Sequence, residues 1–218
     1  MNTLQHFLDY ILHLDVYLNV FVSNYGFWTY LALFIIVFCE TGLIVTPFLP
    51  GDSLLFVAGS IAAQPDNSLN SVLLFLILVS ASILGNQINF IIGSLIGPRV
   101  FTAKESWILN KKHVQTAHQF YNQHGGKTII FARFLPIIRT FAPFIAGIGK
   151  MSVLQFSLYN IFSAFLWVGS LISLGYFLGS LPLVKNHFTL AIYGIIVISL
   201  LPAVVACFRK KATAIDIK

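Results

Sequence analysis

Three long stretches of this chain, 71–97, 152–179 and 188–208, contain no Asp, Glu, Lys or Arg. A helix needs about 20 predominantly apolar residues to cross the hydrocarbon core of a bilayer, and within that core it satisfies its own backbone. Each stretch therefore reads as a transmembrane helix. Composition agrees, since 57% of the 218 residues are hydrophobic and 9% are charged, where a soluble domain carries about 25% charged residues. The expectation is an all-α integral membrane protein forming a single membrane domain over 1–218.

Two further apolar regions do not behave as spans. Thr29 to Thr46 is interrupted by Glu40 and ended by Pro47 and Pro50, and the run that follows, Ser53 to Ala63, is too short to cross alone. Thr128 to Leu135 and Ile137 to Ile148 are likewise short and separated by Pro136. Each region, 28–63 and 127–149, reads as a re-entrant helical hairpin that dips into the bilayer and returns. The two share a phrase. FLPGDSLLFVAG, Phe48 to Gly59, and FLPIIRTFAPFIAG, Phe134 to Gly147, both begin Phe-Leu-Pro and end Phe-(Val/Ile)-Ala-Gly.

Charge placement orients these pieces. Arg99, Lys104, Lys111, Lys112 and Lys127 crowd the segment after the first span, and Arg209, Lys210, Lys211 and Lys218 form the tail. Residues 1–27 contain no Lys or Arg, the loop 64–70 has only Asp66, and the loop before Phe188 has Lys185. By the positive-inside rule, the segment 99–126 and the tail 209–218 are cytoplasmic. With three spans, the first hairpin must then enter from outside and the second from the cytoplasm. The expected fold is an inverted repeat, two oppositely oriented hairpins each followed by a transmembrane helix, with amphipathic interfacial helices and a C-terminal transmembrane helix.

Residues 1–27 are expected to form an interfacial helix, because Leu4, Phe7, Leu8, Ile11 and Leu12 fall on one helical face. Their lack of basic residues, with His6, Asp9, His13 and Asp15 present, is unlike a secretory signal. The linker 99–126 carries Val114, Ala117, Phe120 and Tyr121 near helical spacing and closes on Gly125-Gly126. Its histidines, His113, His118 and His124, lack the i,i+4 spacing of a helical metal pair, so neither a metal nor another cofactor is expected. Cys39 and Cys207 lie in apolar stretches and imply no disulfide framework. The net charge of +6 is divided among short loops, which reports topology and not nucleic-acid binding.

Four ionisable residues fall inside the hairpins: Glu40, Asp52, Arg133 and Arg139. A charge at the bilayer centre costs about 2.5–3.5 kcal/mol on the lenient insertion scale, so four left unpaired would cost on the order of 10 kcal/mol. They must face each other, water or a substrate. Two acids in one hairpin and two arginines in the other sum to zero, and cross-pairing is the simplest arrangement. Buried ion pairs often fail to recover their desolvation penalty, so a structural role alone is a weak reason for all four. Asp52 follows Pro50-Gly51 and is also expected to cap the helix that begins at Ser53.

The arginines point to the substrate chemistry. A guanidinium recognises phosphate with two parallel hydrogen bonds and stays charged inside a membrane. Broken helix near Pro136 and Pro143 is expected to free backbone N–H groups for an anion. Glu40 and Asp52, in a desolvated place, are suited to carry a proton. An anionic headgroup held by Arg133 and Arg139, and released when a proton joins an acid, makes a coherent cycle. Asn86, Gln87 and Asn89 in the first span are expected to face the hairpins as polar glue between helices, with Asn86 and Asn89 supporting the site, and Gly85, Gly93 and Gly97 leave room for close approach.

FCETGLIVTPFLPGDSLLFVAG together with HGGKTIIFARFLPIIRTFAPFIAG resembles the bacterial DedA family, related to the VTT (SNARE-associated) membrane proteins, and the likeness covers nearly the whole chain. The resemblance implies a polytopic inner-membrane protein with two opposed re-entrant hairpins. It also implies proton-motive-force dependence and movement of lipid phosphates across the membrane, including recycling of an undecaprenyl-phosphate carrier. The family's important acids map onto Glu40 and Asp52 and its arginines onto Arg133 and Arg139. Relatives often carry an acid where this chain has Asn86 and a basic residue where it has Ser94, so the resemblance carries no proton or headgroup role to those two positions.

The expected function is therefore a transporter that flips a lipid phosphate, coupled to protons, with membrane lipids and the anionic lipid as its partners. The sequence does not specify whether copies self-associate. Two other readings stand beside it. One is a scaffold whose charges are structural. The other is an enzyme resembling a polyprenyl-diphosphate phosphatase, against which no clear nucleophile or metal-carboxylate cluster accompanies the arginines; Ser53 and Thr140 are the nearby hydroxyls. The chain is not expected to be an enzyme.

Overall fold

The structure is a computed structural model that describes residues 14–43, 51–64, 69–102 and 125–179. The segment before residue 14, the linker over 103–124 with its histidines, the third expected span at 188–208 and the tail lie outside them. Every regular element among the described residues is a helix: α1 (Leu14–Tyr25), α2 (Trp28–Gly42), α3 (Gly51–Ala62), α4 (Ser71–Thr102), α5 (Lys127–Arg133), α6 (Pro136–Ile148) and α7 (Val153–Gly179). Two are long and apolar enough to cross a bilayer, α4 over Ser71–Ile96 and α7 over Val153–Leu178, while α2, α3 and α6 are shorter apolar helices. The expected break between α5 and α6 is present: Leu135 is extended (φ −110, ψ 107) just before Pro136.

The helix limits follow from local chemistry. α1 ends at Gly26, whose φ of +47 suits a residue without a Cβ, and its N–H closes the turn on the Val22 carbonyl. Asn70 caps α4, its Oδ1 accepting from the N–H of Val72 (3.0 Å) and Leu73 (3.1 Å). α3 starts at Gly51, earlier than expected, so Asp52 lies inside its first turn and does not precede it. An acid there still complements the positive end of the helix dipole.

The chain divides into two compact units, Met1–Leu33 with Pro50–Ile77 and Val168–Lys218, and Phe34–Leu49 with Leu78–Trp167. α2, α4 and α7 each give one part to either unit. In the first unit α3 is buried from Ser53 through Ile61, as a helix apolar on all sides should be. The Tyr30 hydroxyl accepts from the N–H of Asn70 at 2.7 Å, tying the start of α2 to the start of α4. The second unit is built around Phe90, Ile129, Ala132, Ala142, Ala146 and Phe156, with the rings of Phe90 and Phe156 stacked at 4.2 Å.

Each unit uses the repeated phrase in the same way. In the first, a Cβ on Gly59 would run into the carbonyl of Ile172, and one on Gly175 into the carbonyl of Phe56. In the second, a Cβ on Gly147 would meet the carbonyl of Phe90, and one on Gly93 the carbonyl of Phe144. Phe-Val-Ala-Gly thus crosses Ile-Ser-Leu-Gly in one unit as Phe-Ile-Ala-Gly crosses Phe-Ile-Ile-Gly in the other. Glycine at both sides of each crossing lets the backbones touch, the packing that helices adopt where lipid supplies no hydrophobic drive.

Candidate functional site

Five of the residues singled out by sequence, Glu40, Asn86, Asn89, Arg133 and Arg139, come together in the second unit. Glu40 is on α2, Asn86 and Asn89 are on α4, Arg133 ends α5 and Arg139 lies in the second turn of α6. Asp52 belongs to the first unit, where its side chain on α3 is half-buried.

Arg139 Nη2 donates to Glu40 Oε1 in an ion pair whose side chains are 7% and 0% exposed. Breaking such a pair by removing one partner costs about 3–5 kcal/mol, because the remaining charge is left uncompensated. Asn89 holds the two backbones that carry the pair. Its Nδ2 donates to the carbonyl of Thr41 (3.3 Å), the residue after Glu40, and to that of Thr140 (2.7 Å), the residue after Arg139. Thr41 lies in the last turn of α2, where carbonyls lack helical donors, and the Asn89 amide supplies one.

Arg133 is placed differently from the sequence expectation. Its partners are neutral, so the expected contact of an acid with an arginine is made by Arg139 and not by Arg133. Nη1 donates to the carbonyl (3.1 Å) and Oδ1 (3.0 Å) of Asn160 and to Ser163 Oγ (2.7 Å), while Nη2 donates to the carbonyl (3.3 Å) and Oγ of Ser82. Hydrogen bonds to a charged group contribute about 1.5–3 kcal/mol each, against a desolvation penalty of several kcal/mol. Five neutral acceptors therefore offset the burial and leave the charge in place. Both guanidiniums lie over one indole: the Trp167 ring centroid is 5.7 Å from the Arg133 Cζ and 5.1 Å from that of Arg139.

The amide side chains of α4, Asn86, Gln87 and Asn89, all reach neighbouring helices. Asn86 Nδ2 donates to Asn160 Oδ1 (3.1 Å), and Gln87 Oε1 accepts from Ser157 Oγ (3.1 Å). Ser94 turns back to the carbonyl of Ile91. The backbone at the Pro136 break offers less to an anion than expected, because the N–H groups of Phe134 and Leu135 are bonded to the carbonyls of Phe131 and Ala132. Pro143 removes a donor as well, so what it withdraws from α6 is the N–H that the Arg139 carbonyl would ordinarily accept. Among the described residues no group of three or more His, Cys, Asp or Glu gathers as a metal site.

Sequence reasoning missed Ser82, Ser163 and Trp167. Nothing distinguishes those two serines from the others scattered through the spans. Asn160, with Gln155 one of two amides in the uncharged stretch 152–179, is the signal that the sequence carries for the whole cradle. Trp167 is buried, whereas Trp28 is 65% exposed as an interface anchor would be.

The VTT domain family matches residues 49–177, a stretch holding Asp52 and both arginines. The chain is 49% identical to Protein DedA of Escherichia coli (strain K12) over 98% of both chains. It belongs to the DedA family. The DedA-family likeness extends to the uncharacterized membrane protein Rv0364 of Mycobacterium tuberculosis, 41% identical over 82% of this chain and 78% of that one. Inner membrane protein YqjA of Escherichia coli (strain K12) is 34% identical over 72% of this chain and 71% of its own length. No solved structure matches this DedA-family chain significantly. With its two long apolar helices it is a VTT-domain membrane protein.

Proposed function

We propose that this protein carries a lipid phosphate, undecaprenyl phosphate or a phospholipid, across the bacterial inner membrane in a proton-coupled cycle that supports envelope homeostasis. The observation that carries the reading is the buried Glu40–Arg139 pair beside a second buried guanidinium, Arg133, none of whose partners is a carboxylate. A phosphate group can replace the Glu40 carboxylate on Arg139, since both offer the oxygens a guanidinium fork recognises. A proton on Glu40 weakens its hold and frees Arg139 for the phosphate; loss of that proton restores the pair and expels the headgroup. The proton thus promotes loading, the reverse of a cycle in which it triggers release. Asp52, in the first turn of α3, serves as a second proton-carrying acid.

The proposal includes the topology that the charge distribution favours: two re-entrant hairpins entering from opposite faces, a third span over 188–208 and a cytoplasmic C-terminus. The matching glycine crossings of the two units support it, because an inverted repeat should reuse its contacts.

Reconstitution into liposomes with fluorescent lipid phosphates tests the function. Headgroups should change leaflet faster with a pH gradient imposed, and Asp52→Asn and Arg139→Ala should each abolish movement while the protein remains folded. Leaflet exchange indistinguishable from that of empty liposomes sinks the transporter reading. Phosphate release in the same assay would identify an enzyme, and neither activity would leave a scaffold.

A further inference from the structure

The two arginines of the site are held in opposite ways. Arg139 has a carboxylate partner on another helix, through Nη2. Arg133 is 3% exposed, and both its terminal nitrogens are tied to neutral groups, Ser82 on α4 and Asn160 and Ser163 on α7. Asn160 is the centre of this cradle. Its Oδ1 accepts from Arg133 and Asn86, its carbonyl accepts from Arg133 and Ser163, and its Nδ2 donates to the carbonyl of Ile83 at 3.0 Å. An aspartate is nearly the same size as an asparagine and would cancel the charge, losing only the Nδ2 donation to the Ile83 carbonyl. A guanidinium cannot shed its proton in a protein, so with amide and hydroxyl partners alone Arg133 stays cationic.

One more observation shows that hydrogen bonds do not fully absorb the charge. Arg133 Nε is buried and has no hydrogen-bond partner among the described residues. The Trp167 ring, which presents a negative π face to both guanidiniums, lets two like charges share one region.

We propose that Arg133 is a fixed, uncompensated cation kept for a phosphate-type oxyanion, with Asn160 as its positioning residue, whereas Arg139 is the arginine that changes partners. The inference rests on the anion-carrying reading above and adds a division of labour between the two arginines. It also names the chemistry selected at position 160: a neutral acceptor that fixes the guanidinium without discharging it.

Thermal unfolding of the full chain in a neutral detergent, titrated with dodecyl phosphate, inorganic phosphate or uncharged dodecanol, tests this. Dodecyl phosphate should protect the wild type and dodecanol should not. Asn160→Asp should fold and lose at least 10-fold in apparent affinity for the anion. Ser163→Ala, which removes a hydrogen bond but adds no charge, should stay within about threefold of wild type. Should Asn160→Asp fail to fold, Ser82→Asp brings a carboxylate from the other helix and carries the same expectation.

Affinity of the Asp variants within twofold of wild type overturns the inference alone. So does a loss in Ser163→Ala as large as in Asn160→Asp, which would mean that hydrogen-bond geometry and not charge matters. Failure of both Asp variants to fold while Ser163→Ala folds also overturns it, since an uncompensated cation should welcome an acid. A wild type protected by neither phosphate removes the anion-carrying reading itself, and this inference with it. Equal protection by inorganic and dodecyl phosphate supports the fixed cation and assigns the site to free phosphate instead of a lipid headgroup.

Discussion

Glu40 and Arg139 are 99 residues apart in sequence and form a buried ion pair. Asn89, on a third helix, donates one amide to the carbonyl that follows each of them. The side chains carry the opposite charges, and the amide sets the register of the backbones that bear them.

Neutralising one partner should therefore destabilise more than exchanging both. Glu40→Gln leaves the Arg139 charge buried and is expected to cost about 3–5 kcal/mol, which lowers the unfolding temperature by roughly 10 °C in a chain of this size. The double exchange Glu40→Arg with Arg139→Glu should recover a measurable part of that loss. Thermal unfolding in detergent checks it, and a double variant no more stable than the worse single one would contradict the pairing.

Asn89→Ala removes two donors from carbonyls in a buried setting, for an expected loss of about 1–3 kcal/mol. Asn89→Asp should be worse than Ala, because an ionised carboxylate can only accept and would face two carbonyl oxygens. An aspartate variant as stable as wild type would show that the bridge is not made through this amide.

Much of this arrangement is legible in the chain. Uncharged stretches locate α4 and α7, and the cost of burying a charge singles out Glu40, Asp52, Arg133 and Arg139 before any coordinates. The cradle of Arg133 is not legible, since serine and asparagine in a membrane helix do not announce which neighbour they face. Pro143 lies inside α6, where a proline itself brings no N–H to offer an anion. Asp52 shifts from cap to first turn because the helix already begins at Gly51.

Trp167 should matter through its π face. Trp167→Phe keeps an aromatic face and Trp167→Leu keeps none, so Leu is expected to destabilise more. The added loss should be about 1–4 kcal/mol for two desolvated cation–π contacts. Equal unfolding temperatures for the two variants would reduce the indole to a space filler.

The glycine crossings give a paired stability test. Gly59→Ala and Gly147→Ala each push a methyl into a backbone carbonyl, of Ile172 and Phe90 respectively, and are expected to cost about 1–3 kcal/mol. Gly169→Ala meets only the Phe75 ring at 3.5 Å, an ordinary contact, and should be close to neutral. Unfolding temperatures of the three variants decide it, and a neutral Gly147→Ala would contradict the close crossing of α4 and α6.

The separation of Glu40 from Arg139 also sets a timetable for synthesis. At about 5–20 residues per second, the ribosome needs roughly 5–20 seconds to add the 99 residues between them. During that interval the Glu40 carboxylate has been made and its arginine has not. Arg133 waits less, because Ser82 is already in place when it emerges and Asn160 follows 27 residues later. The ion pair therefore closes only once α6 has been made, and for that interval Glu40 must do without the guanidinium that meets it in the folded protein.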